Sequence, residues 1–282
     1  MADLAISVAI PCYNGQAFVG SAIESILAQR RPAGQIIVVD DGSTDDSVDV
    51  IGGYSVTLVQ HATNQGLAHA RNSAIEAASG DILVFVDVDA LADPTLLAVL
   101  AAGYSDDSIG GVGGQGIESN IRSLADRWRR AHATQGHGSR KKLVEFLPGL
   151  CMSYRLKLLR ELGGFNTRFW TNGEDMDMGA RVRKAGYDIL YLPAAKVYHQ
   201  RTDDVHSLKR TMANWYKASY QVKRINGDPV WKQYAGIMRR LVTAPLHDLF
   251  IEHDIQLARL SWEIGWEKYK AVRTAAAQFE TK

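Results

Sequence analysis

Two aspartates, Asp87 and Asp89, stand directly after an apolar run, Ile-Leu-Val-Phe-Val, at residues 82–86. The run has the length and make-up of a buried strand. Open α/β sheets keep their ligands beyond the carboxyl ends of their strands, where this pair stands. On an extended chain residues i and i+2 point the same way, so the two carboxylates are expected to converge. Paired hard oxygen donors suit Mg²⁺ or Mn²⁺ carrying the phosphates of a substrate. So short a motif, taken alone, more often marks a solvated loop. A second acidic pair, Glu174 and Asp175, precedes an expected helix at residues 178–185. Taken alone, the pair reads as an acidic helix N-terminus that complements the helix dipole. His199, alone, reads as an ordinary histidine at a strand end.

The elements that must position these residues alternate between strand and helix in the first half of the chain, the pattern of a parallel sheet covered on both faces. A strand at 6–10 is expected to stop at Pro11 and a helix to run over 17–29. A second strand, 36–39, ends in Asp40 and Asp41, after which residues 43–46 read as a capping box opening a helix to about residue 51. A strand at 56–60 and a helix at 67–78, with Ala70, Ala74 and Ala77 on a narrow face, lead into the strand at 82–86. The polar ends of three strands (Tyr13 and Asn14; Asp40 and Asp41; Asp87 and Asp89) would then share one sheet edge. Each could equally be a separate turn. A helix at 94–102, a glycine-rich strand at 109–116, a strand at 146–154, a helix at 156–162 and a strand at 188–192 follow. From about residue 205 the chain reads as wholly helical, and Ile255, Ala258, Trp262, Trp266 and Tyr269 form a stripe expected to be core.

The composition of the 282 residues, 46% hydrophobic and 22% charged, is that of a soluble protein able to bury a large core. The formal net charge of +1 conceals two basic stretches. Residues 121–142 carry seven Lys/Arg against Asp126 alone, and residues 205–240 carry eight against Asp228 alone. Such asymmetry points to an anionic partner. The first stretch reads either as a surface helix with a flexible loop or as a mobile cover over a phosphate-bearing ligand. In the second, Trp215, Tyr216, Tyr220, Trp231 and Tyr234 interleave with the basic residues, which fits a helix lying in a lipid interface. Nucleic acid would accept the same pattern, but no nucleic-acid motif accompanies it. Cys12 and Cys151 have no metal-type spacing and read as buried thiols in a reducing compartment. With neither a signal segment nor a spanning stretch legible, the expected location is cytoplasmic, at most peripheral at the inner face of the membrane.

Six ordered segments carry a family resemblance: Ile-Pro-Cys-Tyr-Asn at 10–14, Val-Val-Asp-Asp-Gly-Ser-Thr-Asp at 38–45, Asn-Gln-Gly-Leu-Ala-His-Ala-Arg-Asn at 64–72, Val-Asp-Val-Asp at 86–89, Gly-Glu-Asp at 173–175 and Tyr-His at 198–199. Together they resemble the inverting family 2 glycosyltransferases of the GT-A fold. The resemblance implies a Rossmann-like mixed α/β sheet over residues 1–203 and leaves 204–282 as a C-terminal helical extension. It implies that Pro11, Tyr13, Asn14, Asp40 and Asp41 hold the base and ribose of a nucleotide, that Gly66 lets backbone approach closely, and that Arg71 and Asp87 serve the nucleotide-sugar. It further implies Asp89 and His199 at a Mn²⁺ or Mg²⁺ ion and Asp175 as general base with Glu174 beside it. The implied reaction moves a sugar from a nucleotide-sugar, by default a UDP-sugar, to a hydroxyl acceptor; the two basic stretches point to a glycan or lipid-linked acceptor and to an anionic membrane surface as a further partner. Cys12 and Ala90 depart from the commoner pattern without removing a ligand or the base. The rival readings are an Asp-x-Asp phosphohydrolase, whose motif would follow the first strand and continue with Thr or Val, and a non-catalytic nucleotide-binding or membrane-scaffolding module.

Overall fold

The computed structural model describes residues 4–280. The chain divides into two compact units, one formed by residues up to Ser119 with Gln135–Arg201, the other by Asn120–Thr134 with the residues from Thr202.

The first unit is built on one mixed sheet. β1 (Ile6–Cys12), β2 (Gln35–Asp40), β3 (Thr57–Gln60) and β4 (Ile82–Val86) run parallel in the order β3-β2-β1-β4. Beyond β4 come β8 (Cys151–Arg155), β6 (Ile109–Glu118), β9 (Asp188–His199) and β5 (Ala90–Ala92), while the two-residue β7 (Lys142–Leu143) pairs with β9. β8 is antiparallel to both β4 and β6, and β6 and β9 are parallel. Alternation distributes the strand side chains to two cores. Val8, Ile10, Ile82, Val84 and Val86 pack against α1 (Val19–Leu27), α2 (Ser47–Gly52) and α4 (Leu96–Ala102). Ala9, Leu83 and Phe85 face the opposite layer of α3 (Leu67–Ala77), α6 (Leu156–Glu161) and α7 (Glu174–Lys184).

Three expectations about local structure are corrected. β1 runs through Pro11 to Cys12, because β1 pairs with β4 only as far as Ala9 and the proline's missing N–H falls beyond that ladder. Residues 43–46 do not form a capping box: Ser43 Oγ accepts the Asn14 N–H, Asp45 accepts the N–H groups of Gln16 and Ser47, and α2 starts after Asp46 without a side-chain bond from that residue. Residues 188–199 form one continuous strand, and α7 begins at Glu174, so the acidic pair is its first turn.

The second unit contains α5 (Leu124–His132), α8 (Val205–Asn226), α9 (Trp231–Phe250) and α10 (Ile255–Glu280). Its core joins Trp128 to Leu208, Met212, Leu257, Leu260 and Ile264, with Trp128 Nε1 donating to Ser261 Oγ at 2.7 Å. A second cluster gathers Tyr220, Ile237, Leu241, Val272 and Ala275. α5 is therefore packed into the helical core of this unit. The stripe expected to be core is mostly solvated: Ile255, Trp262 and Trp266 are exposed, because α10 turns the parallel series Leu257, Leu260 and Ile264 inward instead.

Candidate active site

The carboxyl ends of β1, β2 and β4 meet at one edge, as the parallel register requires. At the end of β2, Asp40 is buried; Oδ2 accepts the Ser43 N–H at 3.3 Å, while Oδ1 has no hydrogen-bond partner among the described residues. Half-exposed Tyr13 follows β1, and Asn14, in the left-handed region at φ 49°, accepts the Thr44 N–H at 2.8 Å. Asp41 is put to another use. Its two oxygens accept the N–H groups of Gln65 and Gly66 at 2.9 and 2.8 Å, and His61 Nδ1 lies 2.7 Å from Oδ1. It thereby holds the loop whose last residue, Gly66, precedes α3 at φ 94°. A Cβ on Gly66 would sit 2.8 Å from the Trp170 ring and backbone, so a glycine is required there on two counts.

Asp87 and Asp89 do not stand at i and i+2 of one extended strand as alternation suggests, although Asp87 still feels the charges of Asp89 and His199. β4 ends at Val86, and the Ala90 N–H donates to the Asp87 carbonyl at 3.0 Å, so the chain is turning, not extended. Asp87 is held by Arg71, whose Nη2 is 3.1 Å from Oδ1. Asp89 Oδ2 instead lies 3.3 Å from His199 Nε2, and His199 Nδ1 lies 3.1 Å from Glu118 Oε1. β5 pairing with β9, Ala90 opposite His199, brings the two together. Burial raises the Asp87 carboxyl above its ordinary range in spite of Arg71. Burial also pushes Asp89 upward, but the hydrogen bond and charge of His199, with the charge of Arg201, hold it below the ordinary value. Desolvation pulls the His199 imidazolium down, yet its bonds to Asp89 and Glu118 prevail and raise it to about 9.

Arg71 is the largest surprise. The resemblance assigns it to the nucleotide-sugar, and in the structure it has no exposed surface. Its Nη1 donates to Glu174 Oε1 at 2.6 Å, and its Nη2 to Asp87 and to the Gly149 carbonyl at 3.2 Å. The guanidinium lies 5.9 and 5.6 Å from the ring centroids of Phe85 and Phe165. The motif that places Arg71 on the inward side of α3 thus makes it a clamp between β4 and α7. Gly149 completes the link, its N–H donating to Asp175 Oδ2 at 3.2 Å. Asp175 Oδ1 accepts the Met176 N–H at 2.8 Å, and Asp175 remains half-buried. Burial raises the carboxyls of both Glu174, to about 7, and Asp175, with the charge of Arg71 acting against it. Asp177, by contrast, bonds Arg181 Nε at 2.7 Å within its own helix.

One sheet edge therefore holds an orphan acceptor, a carboxylate–imidazole pair and, linked through the Gly149 loop to the arginine that holds Asp87, a half-buried carboxylate. Residues 7–163 match the description "Glycosyl transferase family 2", more than half of the chain. The chain belongs to glycosyl transferase family 2.

Named relatives agree with that membership. The pre-mycofactocin glycosyltransferase of Mycobacterium tuberculosis is 27% identical over 209 residues, covering 69% of this chain and 42% of the relative. The poly-beta-1,6-N-acetyl-D-glucosamine synthase of Staphylococcus epidermidis is 22% identical over 228 residues, covering 77% and 55%. The chain thus spans about half the length of these curated relatives. Among solved structures, a mannosyltransferase from Pyrobaculum calidifontis in complex with GDP-Man and Mn²⁺ superposes with a TM-score of 0.63 at 20% identity, covering all of this chain and 80% of that one. The fold is that of the GT-A glycosyltransferases.

Within this family 2 chain the sequence motifs do not mark Glu118, Gly149 or Trp170. Glu118 ends a glycine-rich strand and reaches His199 only through the parallel pairing of β6 with β9. Gly149 is identified by its closeness to Arg71, whose Nη2 would lie 2.7 Å from an added Cβ. Trp170, 55% exposed, covers Gly66, and the Phe169-Trp170 pair ahead of the Gly-Glu-Asp segment is the sole signal in the sequence.

Proposed function

We propose that this family 2 protein is a metal-dependent inverting glycosyltransferase that moves a sugar from a nucleotide-sugar, by default a UDP-sugar, to a hydroxyl of a glycan or lipid-linked acceptor. The observation that carries the reading is the pairing of Asp89 with His199. An oxygen and an imidazole nitrogen 3.3 Å apart are spaced as two neighbouring ligands of one ion at about 2.1 Å would be. Glu118 on the other ring nitrogen is the orienting partner that metal-binding histidines ordinarily have. Mn²⁺ or Mg²⁺ held by Asp89 and His199 would supply positive charge to a departing diphosphate.

The remaining roles fall to the chain's own groups. Asp40 offers its orphan Oδ1 to an N–H or O–H of the base or ribose, beside Pro11 and Tyr13. Asn14 and Asp41 hold the adjoining loops, and Gly66 keeps the α3 entrance open to Trp170. Asp175 takes the acceptor hydroxyl's proton as the acceptor oxygen bonds to the anomeric carbon. The bond from that carbon to the phosphate oxygen breaks, its electron pair leaving with the diphosphate. Burial that raises the Asp175 carboxyl makes it a better base than a solvated one. Glu174 holds Arg71, which keeps Asp87 and the Gly149 loop in register with Asp175. The proposed location is the cytoplasmic side of the membrane, where a lipid-linked acceptor would be met.

Calorimetry with UDP, GDP, dTDP and CMP, with Mn²⁺ and again with EDTA, tests the donor side. Selective binding of one diphosphate, lost with EDTA, is expected; no binding by folded protein sinks the reading. Asp175→Asn should retain that binding while transfer falls by about 10²–10⁴. Release of inorganic phosphate from simple phosphate esters would favour the phosphohydrolase instead.

A further inference from the structure

The outward side of α9 carries Trp231, Met238, Val242, Leu246 and Leu249 at intervals of three, four and seven, one side of a helix, and all five are exposed. Trp231 and Val242 expose 64% and 61% of their surfaces. The helix does not need this face to pack, since Ile237 and Leu241 on its other side are already buried in the helical core. Isolated exposed apolar residues are ordinary, but a continuous row along one helix marks an interaction surface.

Charge identifies the partner. Lys232 and Arg239 each follow a stripe residue by one position, so they border the row along one side. The single acidic residue of α9, Asp248, is buried, so no carboxylate stands on the outward side. A second copy of this chain meeting the same face by two-fold symmetry would set lysine and arginine against the same cations. An anionic headgroup layer supplies the charge that such a copy lacks, and a tryptophan at the end of the row suits a lipid–water interface.

We propose that α9 docks the protein on an anionic bilayer, lying in the interface with Trp231, Met238, Val242, Leu246 and Leu249 inserted and Lys232 and Arg239 among the headgroups. The aromatic, basic stretch of the sequence points to this surface only at its end: Tyr220 of α8 is buried in the core, whereas Trp231 is exposed. The proposal draws its purpose from the lipid-linked acceptor reading. The docking itself is measured without donor or acceptor, so failure of transfer and failure of docking are separate results.

The test is co-sedimentation of the full chain with vesicles of phosphatidylcholine alone and of phosphatidylcholine with phosphatidylglycerol, at low salt and at about 0.5 M salt. Binding at least tenfold tighter to the anionic vesicles, weakened by salt, is expected. Val242→Glu and Leu246→Glu should each lower the partition at least tenfold, since each removes a buried aliphatic side chain from lipid. Both positions are exposed, so melting and nucleotide binding should be unchanged. Lys232→Gln with Arg239→Gln should reduce the salt dependence. Absence of binding to anionic vesicles at low salt overturns the proposal. So does vesicle binding by Val242→Glu and Leu246→Glu equal to that of the parent, or a dimer in light scattering that these substitutions dissociate.

Discussion

Replacing Arg71 with methionine should destabilise the sheet unit by about 3–5 kcal/mol, the cost of removing one partner from a buried ion cluster. The arginine has no exposed surface, and it gives 2.6 and 3.1 Å hydrogen bonds to Glu174 and Asp87 and a third to the Gly149 carbonyl. Methionine fills part of the space between Phe85 and Phe165 but leaves Glu174, itself 3% exposed, with no cation. At about 2–4 °C per kcal/mol for a domain of this size, the midpoint of thermal unfolding should drop by about 10 °C. The loss should depend on pH in a definite sense. Burial has already raised the Glu174 carboxyl from 4.5 to about 7, so the folded chain holds a proton the unfolded chain has released. Glu174 therefore lowers stability as pH climbs through that window. Without Arg71 the carboxyl moves higher still, and the variant should lose more at pH 8 than at pH 5. Adding Glu174→Gln to Arg71→Met should recover roughly 1–3 kcal/mol as a coupling energy. Denaturant titration of the two single variants, the double variant and the parent gives every value needed. An Arg71→Met midpoint within a degree or two of the parent, with no coupling to Glu174→Gln, would refute the clamp.

Three further outcomes are expected. Glu118→Gln should weaken Mn²⁺ affinity about 10–100-fold in calorimetry while the fold is kept, because it loosens the orientation of His199; unchanged affinity would remove Glu118 from that role. Gly149→Ala should lower both stability and transfer, since its Cβ would lie 2.7 Å from Arg71 Nη2, and a crystal structure with Arg71 unmoved would contradict the reasoning. In the helical unit, burial lowers the Lys268 ammonium from 10.5 to about 7, while the Trp128 and Tyr216 rings at 5.0 and 4.6 Å favour its charge. The unfolded chain binds that proton first, so the stability from the neutral form is complete above 10.5 and is lost as pH falls toward 7. Lys268→Met should flatten that slope and stabilise the protein at neutral pH by on the order of a few kcal/mol; a slope that persists in the variant assigns it elsewhere.

Local pattern determined the sheet's parallel half and which strand ends carry polar groups. Unbroken apolar runs such as residues 82–86 can be buried only on both faces, and Asp40, Asp87 and Asp89 follow such runs directly. Asp89, His199 and Asp175 stand in segments that the family resemblance marks. What those side chains touch was not legible, because it depends on pairings between distant segments. Alternation accounts for neither partner of Asp87 and Asp89; a turn after β4 gives Arg71 to the one and His199 to the other. Arg71 has the composition of a ligand-binding arginine, and only the packing of α3 against Phe85 and Phe165 turns it into a buried clamp. Glu118 lies 81 residues from His199 and meets it through the pairing of β6 with β9. In α9 and α10 the sequence offers apolar residues on more than one side of each helix. A single helix cannot say which side is core, so the outward row of α9 became visible once Ile237 and Leu241 had taken the inward one.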